Sequence, residues 1–252
     1  MLNLKNVSLN IGNTPILQDV TCEIPNDKLT AIVGPNGSGK STLLNAISLT
    51  RAMSQGEVTL NGQIISELSR SELAEHLSIL RQENAIDAKI QVTELVNFGR
   101  FPHHKGKPNQ EDWNWVNKAI CDVQLENECD KYLDALSGGQ KQRAFIAMIL
   151  AQQTQNILLD EPLNNLDMKH SVSVMQSLQK LADKEGKAIG IVIHDINFAA
   201  RYCNHIIALK NGKCFYTGNC DDFFHDDVLT ELFDMPMHVS TIDGKKVCLY
   251  YG

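Results

Sequence analysis

The nine residues GPNGSGKST, at positions 34–42, constrain the fold more strongly than any other part of the chain. They match the pattern GxxxxGK[ST], directly after the apolar run LTAIV and directly before a segment with helical spacing. Glycines in such a loop allow positive φ, so that successive backbone N–H groups and the start of the helix point at one anion. The pattern predicts a polyphosphate ligand, with the Lys40 ammonium near its outer phosphates and the Ser41 hydroxyl on an accompanying Mg²⁺.

Apolar runs bounded by turn residues alternate along the chain with segments of helical spacing, which indicates an α/β fold with a mostly parallel sheet. Before residue 29, two short strands flank a turn at 12–15 and predict an antiparallel sheet, whereas residues 86–136 are polar and predict a helical insertion. The buried strands are predicted at 29–33, 156–159, 188–193 and 205–209. The helices are predicted at 41–49, 137–151, 169–181 and 197–202.

Charge and composition narrow the classes of function. The 252 residues carry 23 Lys+Arg against 30 Asp+Glu, a net charge of −7, which disfavours a protein that coats nucleic acid or an anionic membrane. The longest wholly apolar run, 144–151, is far shorter than the roughly 20 residues of a membrane-spanning helix, and the N-terminus lacks a signal-peptide pattern, so we expect an intracellular protein. Seven cysteines without a CxxC pair predict free thiols.

An acidic pair ends the predicted strand in the segment ILLDEP, at 157–162. Asp160, at the end of the strand, is suited to hold Mg²⁺ directly or through water. Glu161 is suited to polarise an attacking water as a general base. A solvated turn is the alternative interpretation of an isolated Asp-Glu pair, and the upstream phosphate-binding loop favours the catalytic one.

A second glycine-rich segment, LSGGQ at 136–140, is followed by the helical sequence KQRAFIAMILA. Ser137 is predicted to cap that helix, and Gly138 and Gly139 allow an anion to approach its N-terminus closely. One chain needs only one site for a γ-phosphate, and the loop at 34–42 already supplies it. The second site is therefore expected to act on the nucleotide of a neighbouring copy.

GPNGSGKST, LSGGQ and ILLDEP, in this order, resemble the ATP-binding subunit of an ABC transporter, and the resemblance covers residues 2 to about 232. It implies an α/β P-loop NTPase of the ABC ATPase class, in one domain over 1–252. Residues 1–85 and 152–252 would form a RecA-like core with an antiparallel β flap, and residues 86–151 a helical subdomain that carries LSGGQ. The implied activity is hydrolysis of ATP, with Mg²⁺, coupled to transport across a membrane.

The same resemblance implies roles for single residues. Gln82, in LRQENA, corresponds to the glutamine that touches Mg²⁺ and relays contact with the membrane subunits, and His194, in VIHDIN, to the switch histidine at the γ-phosphate. Asp167, in NNLD, corresponds to the aspartate that crosses the dimer interface. The implied catalytic residues are Glu161, His194 and Gln82, and the implied metal ligands are Ser41, Gln82 and Asp160. The implied nucleotide contacts are Gly34, Pro35, Asn36, Gly37, Ser38, Gly39, Lys40, Ser41, Thr42, Ile11, Ser137, Gly138, Gly139, Gln140 and Asp167.

Two positions depart from the family pattern. An aromatic residue that stacks on adenine usually precedes the glycine of the N-terminal turn. Ile11 stands there in this chain, which removes a stacking contribution of about 1 kcal/mol and predicts loose base discrimination. In the segment 164–167, Asn165 precedes the Leu-Asp pair where a small residue is common, a departure that concerns coupling across the interface rather than the class.

The segment TELVNFGRFPH, at 93–103, resembles importer ATPases for iron-siderophore complexes, haem and vitamin B12, and FGRFPHHKG is most similar to ferric-siderophore systems. His103 and His104 are interpreted as an exposed polar loop rather than as iron ligands. The resemblance implies a homodimer of ATPase subunits, two membrane permease subunits and an extracytoplasmic substrate-binding protein that acts through the permease. It implies a peripheral location on the cytoplasmic face of the inner or plasma membrane, with no nucleic acid partner.

Two other classes fit parts of the sequence. A soluble ABC ATPase that works on nucleic acid or ribosomes usually has two ATPase units or a long coiled-coil insertion, whereas this chain has one GPNGSGKST, one LSGGQ and no heptad tract. An exporter subunit, or an importer of sugars or amino acids, is the other class. The about 20 residues after 232 are short for the regulatory domain that many sugar importers add.

Overall fold

The computed structural model describes residues 1–82, 86 and 88–250. Packing divides the chain into two compact units: residues 1–68 together with 179–252, here called the first unit, and residues 69–178, the second unit. These boundaries reflect contacts within each unit. The subdomain boundaries that the resemblance implies, at 85/86 and 151/152, stay a prediction.

The four predicted buried strands are confirmed, each with its ends within one residue. The strands are β1 (Leu2–Ile11), β2 (Thr14–Ile24), β3 (Lys28–Val33), β4 (Gln55–Leu60), β5 (Gln63–Ile64), β6 (Leu77–Leu80), β7 (Asn156–Asp160), β8 (Ala188–Val192), β9 (His205–Lys210), β10 (Lys213–Asn219), β11 (His238–Ile242) and β12 (Lys245–Leu249). The helices are α1 (Lys40–Ile47), α2 (Arg70–His76), α3 (Val92–Gly99), α4 (Phe101–His104), α5 (Gln110–Asp122), α6 (Gly138–Ala151), α7 (Met168–Glu185), α8 (Ile196–Tyr202), α9 (Cys220–Phe223) and α10 (Asp226–Phe233). Single 3₁₀ turns lie at Ile65–Glu67, Glu126–Glu128 and Leu133–Ala135.

An antiparallel sheet with the strand order β2-β1-β4-β5 begins the first unit, which confirms the predicted N-terminal sheet. A two-residue turn joins β1 to β2, so that Ile11 pairs with Thr14. Leu2 and Leu4 of β1 are buried on one face. A register shift between Leu4 and Val7 keeps the next apolar residues on that same face, because the irregularity changes the alternation by one residue.

Three parallel strands in the order β9-β3-β8, with β10 antiparallel to β9, form a second sheet in the first unit. Every residue of β8 and the last five of β3 are buried, as expected for parallel strands covered on both faces. Ile32 of β3 pairs with Val192 of β8, so both strands end at the same edge. This edge therefore carries the loop at 34–39 and His194.

The hairpin of β11 and β12 lies near the end of the first unit, and β12 packs on α8. Sequence patterns do not predict this hairpin, because its strands are mostly exposed or half-buried and contain no continuous apolar run. The strands lack an apolar run because the hairpin packs on a single helix, and that contact buries only a few side chains.

Helices dominate the second unit, as predicted for the insertion. α3, α5 and α6 pack against one another, and α6 also contacts β6. β6 runs parallel to β7, with Leu77 opposite Asn156. β6 is absent from the sequence prediction because a four-residue run, LSIL, is too short to distinguish a strand from a helix.

A buried ion pair joins the helices of the second unit. Arg100, between α3 and α4, donates from Nε to Asp112 Oδ1 at 3.0 Å and from Nη1 to the Ala151 carbonyl at 3.0 Å, and neither charged side chain is more than 6% exposed. The Asn109 N–H also donates to this carboxylate, at 2.9 Å. Burial raises the pKa of Asp112, but the bonds from Asn109 and Arg100 outweigh it and hold the pKa below its ordinary value, so the pair persists at neutral pH.

Replacing Arg100 by Met should leave the Asp112 carboxylate buried without its cation, and we expect the free energy of unfolding to fall by about 3 to 5 kcal/mol. Lys118→Met is the matched control, because it removes the partner of Asp122 on the same helix, where the pair is partly exposed and its loss should cost at most about 1 kcal/mol. Urea denaturation at pH 7 measures both variants. Equal losses would contradict the assigned difference in burial.

Candidate functional site

The loop between β3 and α1 has glycine where no side chain fits. Gly34 and Gly39 have φ of +142° and +103°, which other residues rarely adopt. A Cβ at Gly34 would lie 2.1 Å from the carbonyl oxygen of Leu209, and one at Gly39 would lie 2.7 Å from Cδ2 of Leu17. The loop is therefore pressed against β9 and β2 through bare backbone, which allows its N–H groups to approach an anion.

Ser38 and Lys40 supply the polar side chains of this loop. Ser38 is 3% exposed, and its Oγ has no hydrogen-bond partner in the part of the chain that the structure describes. Lys40 is buried, and its Nζ donates to the carbonyls of Gly34 at 2.8 Å and Pro35 at 3.0 Å. A buried hydroxyl without an acceptor and a buried ammonium are groups that phosphate oxygens satisfy. The loop fits the predicted polyphosphate.

Two further predicted site residues belong to the same unit as the loop. His194 follows β8 at the edge where β3 ends, and the Ile193 N–H donates to the Ile32 carbonyl at 3.3 Å. Ile11 ends β1 and is 42% exposed, and the adjoining strand β2 is the one that contacts Gly39. His194 thus follows the strand edge that also carries the loop, and Ile11 ends the strand paired with the one that contacts Gly39.

The acidic pair lies in the second unit, where β7 ends. Asp160 is 7% exposed and offers the hard oxygen ligand that Mg²⁺ prefers. Glu161 has a left-handed φ of +52°, so the chain turns sharply between the two carboxylates. Glu161 Oε2 accepts from Gln82 Nε2 at 2.8 Å and from Asn164 Nδ2 at 2.7 Å. The structure therefore brings together Glu161, the predicted base, and Gln82, the predicted Mg²⁺ ligand, which are 79 positions apart in sequence.

Asn164 contacts the Glu161 carboxylate and Gln142 contacts the next residue, although the sequence patterns predict neither contact. The side-chain amide of Asn164 contacts Glu161, and the backbone N–H of Asn164 donates to the Glu161 carbonyl at 3.3 Å. The i+3 spacing of the two residues, typical of a turn, is the sequence pattern from which this contact could have been predicted. Gln142 Nε2 donates to the Pro162 carbonyl at 3.1 Å. No local pattern reveals this second bond, because it joins α6 to a loop that only the fold brings near.

LSGGQ forms the start of α6. Ser137 Oγ accepts from the Gln140 N–H at 3.3 Å, and the Ser137 N–H donates to Gln140 Oε1 at 3.0 Å, a capping box that confirms the predicted cap. A Cβ at Gly139 would lie 2.8 Å from the Asn165 carbonyl oxygen, whereas one at Gly138 would meet nothing closer than 3.8 Å. The helix start is suited to an anion, and its binding of a phosphate stays a prediction.

Asp167 caps α7. Its Oδ1 accepts from the His170 N–H at 2.9 Å and contacts His170 Nδ1 at 2.8 Å. The bond from the His170 backbone is the main reason why the pKa of Asp167 lies below its ordinary value, so the carboxylate is charged at neutral pH. The predicted contact of Asp167 across a dimer interface stays a prediction.

The segment FGRFPHHKG, at 98–106, is held by hydrogen bonds within the second unit. A ring nitrogen of His103 contacts the Gln152 carbonyl at 2.8 Å, and His104 Nδ1 accepts from the Gly106 N–H at 2.9 Å. Across residues 1–82, 86 and 88–250, no group of three or more His, Cys, Asp or Glu side chains is arranged to hold a metal ion. The seven cysteines are free thiols, as predicted.

A phosphate-binding loop after a buried strand, an acidic pair after another, and a capped LSGGQ helix are the features of an ATP-binding cassette. The family model described as "ABC transporter" matches residues 17–164, more than half of the chain. The chain belongs to the ABC transporter family, in its ATP-binding class. None of the helices described is both long and apolar enough to cross a membrane.

The chain is similar over most of its length to two relatives and to one solved structure. The chain is 46% identical over 252 residues to the petrobactin import ATP-binding protein YclP of Bacillus subtilis (strain 168), covering 100% of both. It is 37% identical over 254 residues to the iron(3+)-hydroxamate import ATP-binding protein FhuC of the same strain, covering 99% of this chain and 94% of that one. A solved structure of a dimeric ATP-binding cassette in a post-hydrolysis state, bound to ADP and Pi, matches with a TM-score of 0.78 and 32% identity. The match covers 87% of this chain and 99% of that one. These likenesses confirm the predicted α/β P-loop fold.

Gly139→Ala should weaken the start of α6, because the new Cβ would lie 2.8 Å from a backbone oxygen, and we expect a loss of about 1 to 3 kcal/mol in unfolding free energy. Gly138→Ala is the matched control, since its Cβ has an ordinary contact and alanine favours helix by up to about 1 kcal/mol. Urea denaturation compares the two. A loss in Gly138→Ala as large as in Gly139→Ala would contradict the packing described for LSGGQ.

Proposed function

We propose that this chain is the ATP-hydrolysing subunit of an importer that takes up ferric siderophores. The observation that carries the proposal is the 46% identity, over the full length of both chains, to a petrobactin import subunit. Relatives named for iron(3+)-hydroxamate import and ferric enterobactin transport, each 37% identical, support the same class of cargo. The resemblance of FGRFPHHKG to ferric-siderophore systems agrees with it.

ATP is the proposed substrate, bound at the loop 34–42. Its phosphates accept from the backbone N–H groups and the Lys40 ammonium, and one phosphate oxygen satisfies the buried Ser38 hydroxyl. Ser41, Asp160 and Gln82 are the proposed ligands of Mg²⁺, all through oxygen, which suits this cation. The bond from Gln82 Nε2 to Glu161 uses the amide nitrogen and is compatible with the amide oxygen as a ligand. Mg²⁺ held by these residues would offset the negative charge of the phosphates.

Glu161 is the proposed general base. Amide groups of Gln82 and Asn164 hold its carboxylate in one orientation, as a base needs in order to take a proton from a water that attacks the γ-phosphate. His194 is the proposed donor to the γ-phosphate, where it stabilises the charge that develops in the transition state. Water attack then releases phosphate and leaves ADP.

Two copies of the chain are proposed to act together. Each has one phosphate-binding loop and one LSGGQ, so Ser137, Gly138, Gly139 and Gln140 of one copy are assigned to the γ-phosphate held by the other, with Asp167 at the interface. ATP closes this dimer and hydrolysis reopens it. The motion is passed to two membrane permease subunits at the cytoplasmic face, to which an extracytoplasmic binding protein delivers the chelate.

Growth on single iron sources tests the proposed cargo. A strain that lacks this gene should fail to grow when a ferric siderophore is the only iron source, should grow on soluble iron salts, and should recover when the parent gene is restored. Parallel cultures with haem or vitamin B12 as the limiting nutrient are the controls. Normal growth of the deletion strain on ferric siderophores, with a defect on vitamin B12 or haem, would contradict the proposal.

Glu161→Gln tests the proposed base. Because the amide cannot accept a proton from water, we expect ATP turnover to fall by at least about 100-fold, at the lower end of general-base contributions, while ATP binding persists. The variant should therefore accumulate as an ATP-bound dimer in gel filtration, whereas the parent returns to its nucleotide-free state as ATP is consumed. Hydrolysis at the parental rate would show that Glu161 is not the base.

A further inference from the structure

The hairpin of β11 and β12 supports the short helix that follows His194. Helix α8 has seven residues and packs on β12. A helix this short has little stability of its own, because few hydrogen bonds offset the cost of forming its first turn. Its tertiary contacts therefore decide where it starts.

One side chain makes the contact between α8 and the hairpin specific. Asn197, the second residue of α8, donates from Nδ2 to the Cys248 carbonyl at 3.2 Å and accepts at Oδ1 from the Cys248 N–H at 2.7 Å. Cys248 is 1% exposed. Asn197 thus pairs with the edge of β12 as a neighbouring strand would, and its loss would leave a buried N–H and a buried carbonyl unsatisfied.

The backbone of Asn197 is held at the same time. Asp195 caps α8, with its Oδ1 accepting from the Asn197 N–H at 2.9 Å. Asp195 directly follows His194, so less than one helical turn of chain joins the histidine to the residue bound by the hairpin. His194 is therefore held between the end of β8 on one side and the start of α8 on the other, so a shift of α8 moves the chain directly after the histidine.

The hairpin is itself anchored to the rest of the first unit. Lys246 Nζ donates to the carbonyls of Asp221 at 2.6 Å and Phe224 at 3.1 Å. On the other strand, the Val239 N–H donates to Asp226 Oδ1 at 2.7 Å. Bonds from both strands make the hairpin a fixed support for α8.

We infer that Asn197 is a positioning residue through which the C-terminal hairpin sets the location of His194. The inference rests on the role at the γ-phosphate proposed for His194. A shift of about 1 Å in a group that acts on the reacting atoms can slow turnover by about 100-fold. ATP binding depends mainly on the loop at 34–42, so loss of Asn197 affects turnover and leaves affinity nearly unchanged.

The test is steady-state ATP hydrolysis by the full chain carrying Asn197→Ala, His194→Ala or both. In Asn197→Ala we expect kcat to fall about tenfold, with KM and Kd for ATP within about twofold of the parent. In the His194→Ala background, Asn197→Ala should lower kcat no further, because no histidine is left to position. Asn219→Ala is the matched control, since this exposed asparagine makes no cap hydrogen bond, and it should keep the parental kcat.

The outcomes distinguish a failure of the inference from a failure of the proposed function. A parental kcat in Asn197→Ala, with a low kcat in His194→Ala, would overturn the inference and leave the proposed function standing. A parental kcat in His194→Ala would overturn the proposed role of the histidine and the inference with it. A further tenfold loss in the double variant would mean that Asn197 acts through general packing, which also overturns the inference.

A second variant covers the case in which Asn197→Ala does not fold, as judged by circular dichroism. Lys246→Gln loosens the hairpin where it is anchored and leaves Asn197 intact. The expected pattern is the same, with a smaller loss in kcat of about threefold and an unchanged KM. A parental kcat in Lys246→Gln would then overturn the inference.

Discussion

The close packing of bare backbone around the loop at 34–39 is the constraint on which the rest of the first unit depends. Gly34 lies against the carbonyl of Leu209, and Gly39 against Leu17, so the strands on either side must stand where they do for the loop to form. Within the described residues, that arrangement leaves the buried hydroxyl of Ser38 without a hydrogen-bond partner. A phosphate oxygen that accepts from this hydroxyl is favourable, because folding has already removed the hydroxyl from water.

In the second unit, hydrogen bonds hold both the carboxylate of Glu161 and the loop that follows it. Gln82 and Asn164 bind the carboxylate directly, and Gln142 binds the neighbouring carbonyl of Pro162 from the helix that LSGGQ begins. The loop that follows the proposed base is thus hydrogen-bonded to the helix that LSGGQ begins.

Much of the fold could be predicted from local sequence, and two of the elements that could not, β6 and the hairpin of β11 and β12, share a cause. The strands that end at Val33 and Asp160 are short, continuous apolar runs bounded by turns. Such a pattern is typical of a buried strand. The four-residue strand β6 and the hairpin β11–β12 carry no such pattern. Their stability comes from partners elsewhere in the chain, β7 for the first and α8 for the second, so no local window contains the reason for them.

The sequence by itself determined the family and the set of residues predicted to carry the chemistry, because a loop for phosphates, an acidic pair after a buried strand and a capped glycine-rich helix each need particular residue types at fixed spacing. Only the tertiary structure decided how those residues are held. The contacts of Gln82 with Glu161 and of Asn197 with Cys248 join residues 79 and 51 positions apart. Such contacts are set by how strands and helices pack, and the amide side chains that make them have no pattern of their own.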